Sequence, residues 1–410
     1  NKHPNKKPPM KPEAVVTPSQ MGVPFGRRSP QMRGPYSMPN HSRTPRETFK
    51  GAVETVRKLQ LDSLRAIAVF AVIITHTWLA GSTYGHLAVR FFFVLSGFLI
   101  TRHLLRSFSD GRQTPGSALR AFYVRRSFRI MPAYYALLLI MFFLEADGWR
   151  DQWYWHAFYG TNVLFTKTDS WSPWFFSHLW SLSVEQQFYL AWPLVVMLLG
   201  RKFLAPACFL GIAIAVGVRI VISLKMPGTT VIYWTMPTSS WDALAVGGLL
   251  ALAPAVKELS IFKWRAMIPV YAGVILLYWL LEYPSSPFAA ALWYELIEVL
   301  PLLIFAHLVF LGYHDALPRF LNWRILTQLG LISYGIYLYH ELAIDLFQRV
   351  AGPQYYPSLI QFAGASVISV VLAAISWVLL ERPAQQVGRQ LSSRSRPETI
   401  RSSDLRFRRK

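Results

Sequence analysis

Ten stretches, each about twenty mostly apolar residues long, punctuate this chain. They lie near residues 62–80, 87–105, 127–146, 179–199, 203–224, 232–253, 266–282, 288–312, 325–349 and 357–380. A helix of about 20 residues crosses a hydrocarbon core about 30 Å thick. Inside that core every backbone N–H and C=O must be satisfied within the segment, which makes the helix the solution for apolar runs of this length. The expected fold is therefore an all-α integral membrane protein, a bundle of about ten transmembrane helices. Composition agrees: 15% of the 410 residues are charged, against about 25% in soluble domains. That balance excludes a single soluble globular domain, a coiled coil and a collagen-like fibre. The one cysteine, Cys208, lies in an apolar run and has no partner for an internal disulfide.

Charge placement orients the bundle. Residues 1–58 hold 12 Lys/Arg against 3 Asp/Glu, and residues 382–410 hold 9 against 2. Both ends are rich in Pro, Ser, Lys and Arg and read as disordered basic tails, 1–58 and 384–410, around a membrane domain at 59–383. With both termini in the cytoplasm, 35 of the 42 Lys/Arg fall on the inner side and only Arg150, Lys167 and Lys225 on the outer. The tails are expected to lie along anionic lipids of the inner leaflet. Nucleic-acid binding is disfavoured, because the basic residues sit in tails and short loops rather than on one folded face. Residues 1–58 carry no apolar stretch of the kind a cleavable signal peptide needs, so none is expected there.

Ionisable groups inside a bilayer cost several kcal/mol, which makes each a functional candidate. Arg65 and His76 are eleven residues apart in the first segment, three helical turns plus about 20°, so they share a face at an axial separation of about 16 Å. An imidazole so placed can serve as a general base on a hydroxyl, or simply bond a neighbouring helix. Arg126 and Arg129 are neighbours on one face of the third segment, with Arg125 and Arg120 beside them; guanidinium pairs suit phosphate, but taken alone these residues read as plain inner-side anchoring. His178 and Glu185 open the fourth segment seven residues apart, on one helix face. Asp242 opens the sixth, His340 and Glu341 lie in the ninth, and Glu295, Glu298 and His307 have no evident role. Small Ser96 and Gly97 read as helix-packing positions. Residues 147–177 carry eleven aromatics, from Trp149 to Phe176. An interfacial belt is the favoured reading, and a platform for sugar rings the sharper one.

Taken in order, these stretches resemble the acyltransferase 3 family of integral membrane enzymes. The matching runs are Leu61-Asp62-Ser63-Leu64-Arg65-Ala66 with His76, Phe92 through Ile100, Phe122 through Tyr135, His178 through Tyr189, Trp241 through Gly247, Ile332 through His340, and Glu381-Arg382-Pro383. Each is weak alone; the ordered set over residues 61–383 is specific. Arg90 departs from the family pattern by standing where an acid is common. Gln186 stands where a second Glu is common, and Tyr339 where Trp is frequent.

The resemblance implies transfer of an acyl group, most often acetyl, from cytoplasmic acyl-CoA (acetyl-CoA) as co-substrate. The implied acceptor is a hydroxyl of a glycan, such as a surface polysaccharide or its lipid-linked precursor, at the cell inner membrane. On this reading His76 is the base, with Arg65 and Glu185 in the catalytic set. Arg125, Arg126 and Arg129 hold the CoA phosphates, and Trp180, His178, Asp242 and His340 line the acceptor side. An acyl-histidine intermediate and direct transfer both remain open. No metal is expected, since the histidines lack the usual ligand spacing. With no second soluble domain read in the sequence, transfer is expected to finish within the membrane unit or to pass to a separate protein. Two other classes stand behind this one: a proton-coupled secondary transporter, disfavoured by the lack of an inverted repeat, and a membrane organiser acting through its basic tails.

Overall fold

The computed structural model describes residues 57–80, 82–109, 113–145, 149–226, 228, 230–253, 264–280, 286–352 and 356–393. The described residues form helices and connecting turns, with no strand among them. In chain order the helices are α1 (Leu59–Thr77), α2 (Tyr84–Ser109), α3 (Pro115–Phe143), α4 (Trp149–Ala157), α5 (Thr161–Thr168), α6 (Leu179–Lys225) and α7 (Thr230–Thr235). They continue as α8 (Trp241–Leu252), α9 (Trp264–Leu280), α10 (Pro287–Tyr313), α11 (Arg324–Leu331), α12 (Ser333–Ala351), α13 (Leu359–Ser376) and α14 (Arg382–Ser393). Local sequence marks several starts. Thr114 caps α3 by accepting from the Ser117 N–H at 3.2 Å, with Pro115 in the first turn; Ser286 and Pro287 repeat the device on α10.

Six helical stretches are long and apolar enough to cross a membrane: α1, α2, α3, residues 174–225 containing α6, most of α10, and residues 359–393 from α13 onward. The expectation of about ten is thus met at six, and the differences have physical causes. The expected segments 179–199 and 203–224 both lie on α6, whose 47 residues would measure about 70 Å if straight, over twice the core thickness. Gly200 breaks it with φ 61°, a left-handed conformation that suits glycine. Both halves return to α8, where Gly248 faces Trp192 from the first half and Cys208 from the second. α6 is therefore a helical hairpin. Segment 232–253 is divided into α7 and the 12-residue α8, and segment 266–282 yields the 17-residue α9. Segment 325–349 divides into α11 and α12, and α12 carries Glu341, Asp345 and Arg349.

Close approaches hold the helices in register. A side chain at Gly97 of α2 would strike the Leu244 backbone of α8, and one at Gly247 would strike Val94, so small residues let these two helices touch backbone to backbone. Gly330 lets α11 reach the Asp62 backbone at the start of α1. At the other end of α1, His76 meets Glu341, so α1 and α12 run the same way. The basic tails lie outside the described residues, except for Arg57, Lys58 and the stretch to Ser393. There the expectation of disorder is corrected: residues 382–393 form α14, whose Gly388 packs on Phe128 of α3.

Candidate active site

His76 stands in the last turn of α1, and its Nδ1 lies 2.8 Å from Oε1 of Glu341 on α12. The same carboxylate oxygen lies 3.6 Å from His340 Nε2 and accepts from the Ser177 hydroxyl at 3.4 Å. His340 Nδ1 is 2.6 Å from the Tyr337 carbonyl, one turn back on its own helix, and His178 Nε2 is 3.1 Å from the Leu338 carbonyl. A carbonyl only accepts, so these contacts place the protons on His340 Nδ1 and His178 Nε2. His340 Nε2 and His178 Nδ1 are left buried without hydrogen-bond partners. The three rings pack edge to face, 5.1 Å from His76 to His340 and 4.9 Å from His178 to His340. The 2.8 Å separation from Glu341 favours a proton on Nδ1, and in the neutral ring Nε2 is then a lone pair, the tautomer a general base needs. Ligand atoms of His76, His340 and Glu341 lie within 4.8 Å of one another, close enough to share a cation, although the carboxylate–imidazole pairing accounts for them without one.

His76 lines a cavity of ≈ 240 Å³ whose walls include Trp171, Trp174, Trp180, Trp234, His178 and His86. The aromatic-rich stretch therefore divides. Trp153, Tyr154 and Phe158 are exposed, as a belt requires, while Trp171 is half-buried in the cavity wall and Trp174, itself exposed, stands at the cavity edge 5.9 Å from the His76 ring. The site thus joins a base to flat apolar faces and a few polar edges, the composition of a small-ligand pocket.

A second group of sequence candidates assembles toward the opposite end of α1. Arg65 pairs with Asp62 at 2.7 Å and does not touch His76. Arg129 is exposed and shares its surroundings with Arg126, Arg65 and Glu381. Glu381 is set there by a π turn, Trp377–Glu381. Arg126 lies 4.0 Å over the Tyr189 ring with its Nε unpartnered, and Arg125 contacts His103 at 3.2 Å. Cations outnumber anions here, as a phosphate site requires. Glu185 accepts hydrogen bonds from Ser96 and Tyr189, which places it beside the Arg126 group rather than on a histidine. His178, Ser181, Glu185 and Tyr189 form one ridge of α6, spaced as Arg65 and His76 are on α1, so polar side chains follow the helix between the two groups.

Asp242 belongs elsewhere. Its Oδ2 receives Arg90 at 2.7 Å and Arg219 at 2.8 Å, and its Oδ1 receives the Ala243 N–H, so it does not line the cavity. Arg219 also pairs with Glu295 at 2.8 Å, and Arg90 reaches Glu298 at 3.0 Å. Arg90, the departure from the family pattern, thus joins α2, α8 and α10 through buried ion pairs. Sequence reasoning gave no role to Glu341 or His86, and read Trp174 only as one of the aromatics of a belt or sugar platform. An acid inside an apolar segment beside His340 was the available signal for Glu341.

These features define an all-helical, multi-pass membrane protein with an imidazole–carboxylate pair in an aromatic cavity. Residues 58–378 match the acyltransferase domain model of the acyltransferase 3 family, and the chain belongs to that family. It is similar to peptidoglycan O-acetyltransferase OatA of Listeria monocytogenes, 28% identical over 363 residues, which cover 80% of this chain and 56% of that protein. The putative peptidoglycan O-acetyltransferase YrhL of Bacillus subtilis is 28% identical over 82% of this chain and 56% of its own. A putative O-acetyltransferase of Staphylococcus aureus strain COL is 27% identical over 80% and 57%. The chain spans little more than half the length of these curated relatives. No solved structure matches it.

Proposed function

We propose that this protein is a membrane O-acetyltransferase that moves an acetyl group from acetyl-CoA on the cytoplasmic side to a glycan hydroxyl held in the Trp-lined cavity. The observation that carries this reading is His76, fixed by Glu341 at 2.8 Å, in a pocket faced by Trp171 and Trp174. CoA phosphates dock on Arg126 and Arg129, with Arg65 and Arg125 nearby. The pantetheine arm follows the polar ridge of α6 toward His76. His76 Nε2 takes the proton of the acceptor hydroxyl, and its oxygen attacks the thioester carbonyl. The C–S bond breaks, and the departing CoA thiolate takes the proton from the imidazolium. An acyl-histidine formed on Nε2, then transferred to the hydroxyl, uses the same atoms.

Peptidoglycan, for which two of the relatives are named, is the acceptor class we favour, as polymer or lipid-linked precursor. Ten passes complete the topology: the six long stretches with the α6 hairpin counted twice, joined by α7–α8, α9 and α11–α12. Both termini then lie in the cytoplasm at the inner membrane, with the basic tails against anionic lipid. The test is direct. The full chain in lipid nanodiscs, given labelled acetyl-CoA and a soluble peptidoglycan fragment, should form an alkali-labile ester. His76→Ala should lower that rate by about 10²–10⁴-fold. Undiminished transfer in the variant would remove His76 from the chemistry.

A further inference from the structure

His86 takes no part in the reaction above, yet it lines the same cavity as His76. It sits in the first turn of α2, with Nε2 2.9 and 3.0 Å from the two oxygens of Glu298 on α10. Arg90 lies 3.0 Å from one of those oxygens. Both carboxylate oxygens face Nε2, which puts a proton there, and in the neutral imidazole Nδ1 then keeps a lone pair. The ring is stacked on Trp234 at a centroid distance of 4.4 Å and 15°, and lies near-parallel to Trp180 at 6.4 Å and 19°. One edge and one face of the imidazole are thus occupied by protein. Nδ1 is buried and has no hydrogen-bond partner. Native structures rarely leave a buried polar atom in that state, and the space His86 borders is the cavity.

We propose that His86 is an acceptor-binding and specificity-determining residue. Its Nδ1 accepts a hydrogen bond from a second hydroxyl, or from an amide N–H, of the sugar stacked against the tryptophans. This rests on reading the cavity as the acceptor site. The carboxylate–imidazole pairs of His76 and His86 then hold one sugar at two points, and the distance between them selects which hydroxyl reaches His76.

Conservative variants separate this role from a structural one. Asparagine places a carbonyl oxygen where Nδ1 stands, whereas glutamine places an amide N–H where Nε2 stands. If His86 acts through Nδ1, His86→Gln keeps the Glu298 contact but weakens binding of a soluble N-acetylated peptidoglycan fragment about tenfold, read by tryptophan fluorescence without donor. His86→Asn should stay within about threefold of the wild type. In turnover, His86→Gln should raise the acceptor KM by a similar factor, leave the acetyl-CoA KM in place, and spread the ester over more than one hydroxyl. The opposite pattern, Gln tolerated and Asn not, overturns the proposal in favour of a purely structural His86–Glu298 bond. A wild type that shows the expected binding pattern yet transfers nothing refutes the acetylation reading while supporting the His86 contact. Normal transfer with His86→Gln unchanged refutes His86 alone, and a wild type that binds no fragment overturns both.

Discussion

Two buried polar groups sit in this bundle and are completed in different ways. On α2, α6, α8 and α10, the carboxylates of Asp242, Glu295 and Glu298 are met by Arg90, Arg219, His86 and the Tyr233 hydroxyl at 2.7–3.0 Å. Around α1, α12 and the start of α6, one carboxylate, Glu341, faces His76 at 2.8 Å, and His340 Nε2 and His178 Nδ1 remain without hydrogen-bond partners. In the first arrangement the charges pair off, the ion pairs tie four helices together, and the open Nδ1 of His86 is its link to the cavity. The second leaves ring nitrogens open beside the same cavity. Burial and charge are shared by both groups, so neither alone marks the chemistry. Unused valence at the cavity does.

The largest effects should pull the two groups apart. Removing Asp242 takes away the carboxylate shared by two buried guanidiniums and leaves Arg219 only the Glu295 carboxylate and Arg90 only that of Glu298; breaking a buried pair from one side costs about 3–5 kcal/mol. Asp242→Ala should therefore reduce the yield of folded protein and its melting temperature in detergent, whereas His76→Ala should melt like the wild type and lose catalysis. An Asp242→Ala protein as stable as the wild type would mean that the ionic cluster contributes no net stability. Next in size is Glu341→Gln, which keeps the shape but loses the charge opposite His76. Hydrogen bonds to charged groups contribute about 1.5–3 kcal/mol, so kcat should fall about 10–150-fold with the acetyl-CoA KM unchanged. An unaltered kcat would sever Glu341 from His76. Smaller again is Arg126→Ala, expected to raise the acetyl-CoA KM about tenfold, the loss of one charge-assisted contact. A change confined to the acceptor KM would argue against phosphate docking at that end.

The same comparison shows what was legible beforehand. Segment lengths reveal a helical membrane protein, and the eleven-residue interval from Arg65 to His76 places a cation and an imidazole on one helix face, because both features are local. The partner of His76 comes from α12, near the far end of the chain, and no periodicity within α1 points to it. Glu185 looked equally suited to orient a histidine. Only tertiary packing assigns it to Ser96 and Tyr189 and leaves Glu341 for His76. Asp242 looked like a cavity residue for the same reason: its two arginines arrive from α2 and the second half of α6. The belt reading of Trp171 came from composition, which cannot distinguish a ring facing lipid from one facing inward. Residues 384–393 read as tail because they are polar, yet they belong to α14, which finds its packing on α3.

Another buried imidazole, outside the spanning helices, sharpens the contrast at low energy. His156 on α4 has Nδ1 3.0 Å from the Thr161 hydroxyl, and its ring stacks 4.1 Å from Phe176, next in sequence to Ser177 of the site. Burial lowers its pKa from the ordinary 6.5 to about 4. Above about pH 6.5 the ring is neutral in both folded and unfolded chains, and its packing is fully available. Between about 6.5 and about 4 the unfolded chain binds a proton that the folded one does not. Stability therefore falls as pH drops, by at most about 1.4 kcal/mol per pH unit from this group. Below about 4 both forms are protonated and the loss levels off. Melting temperatures taken from pH 7.5 to 4.5 should thus decline more steeply in the wild type than in His156→Phe, which keeps the stack on Phe176 without a titrating group. Parallel curves would show that the acid sensitivity lies elsewhere, with the imidazoles around Glu341 next to examine. Convergence of the two proteins only at low pH would separate an imidazole buried for packing from those left open for chemistry.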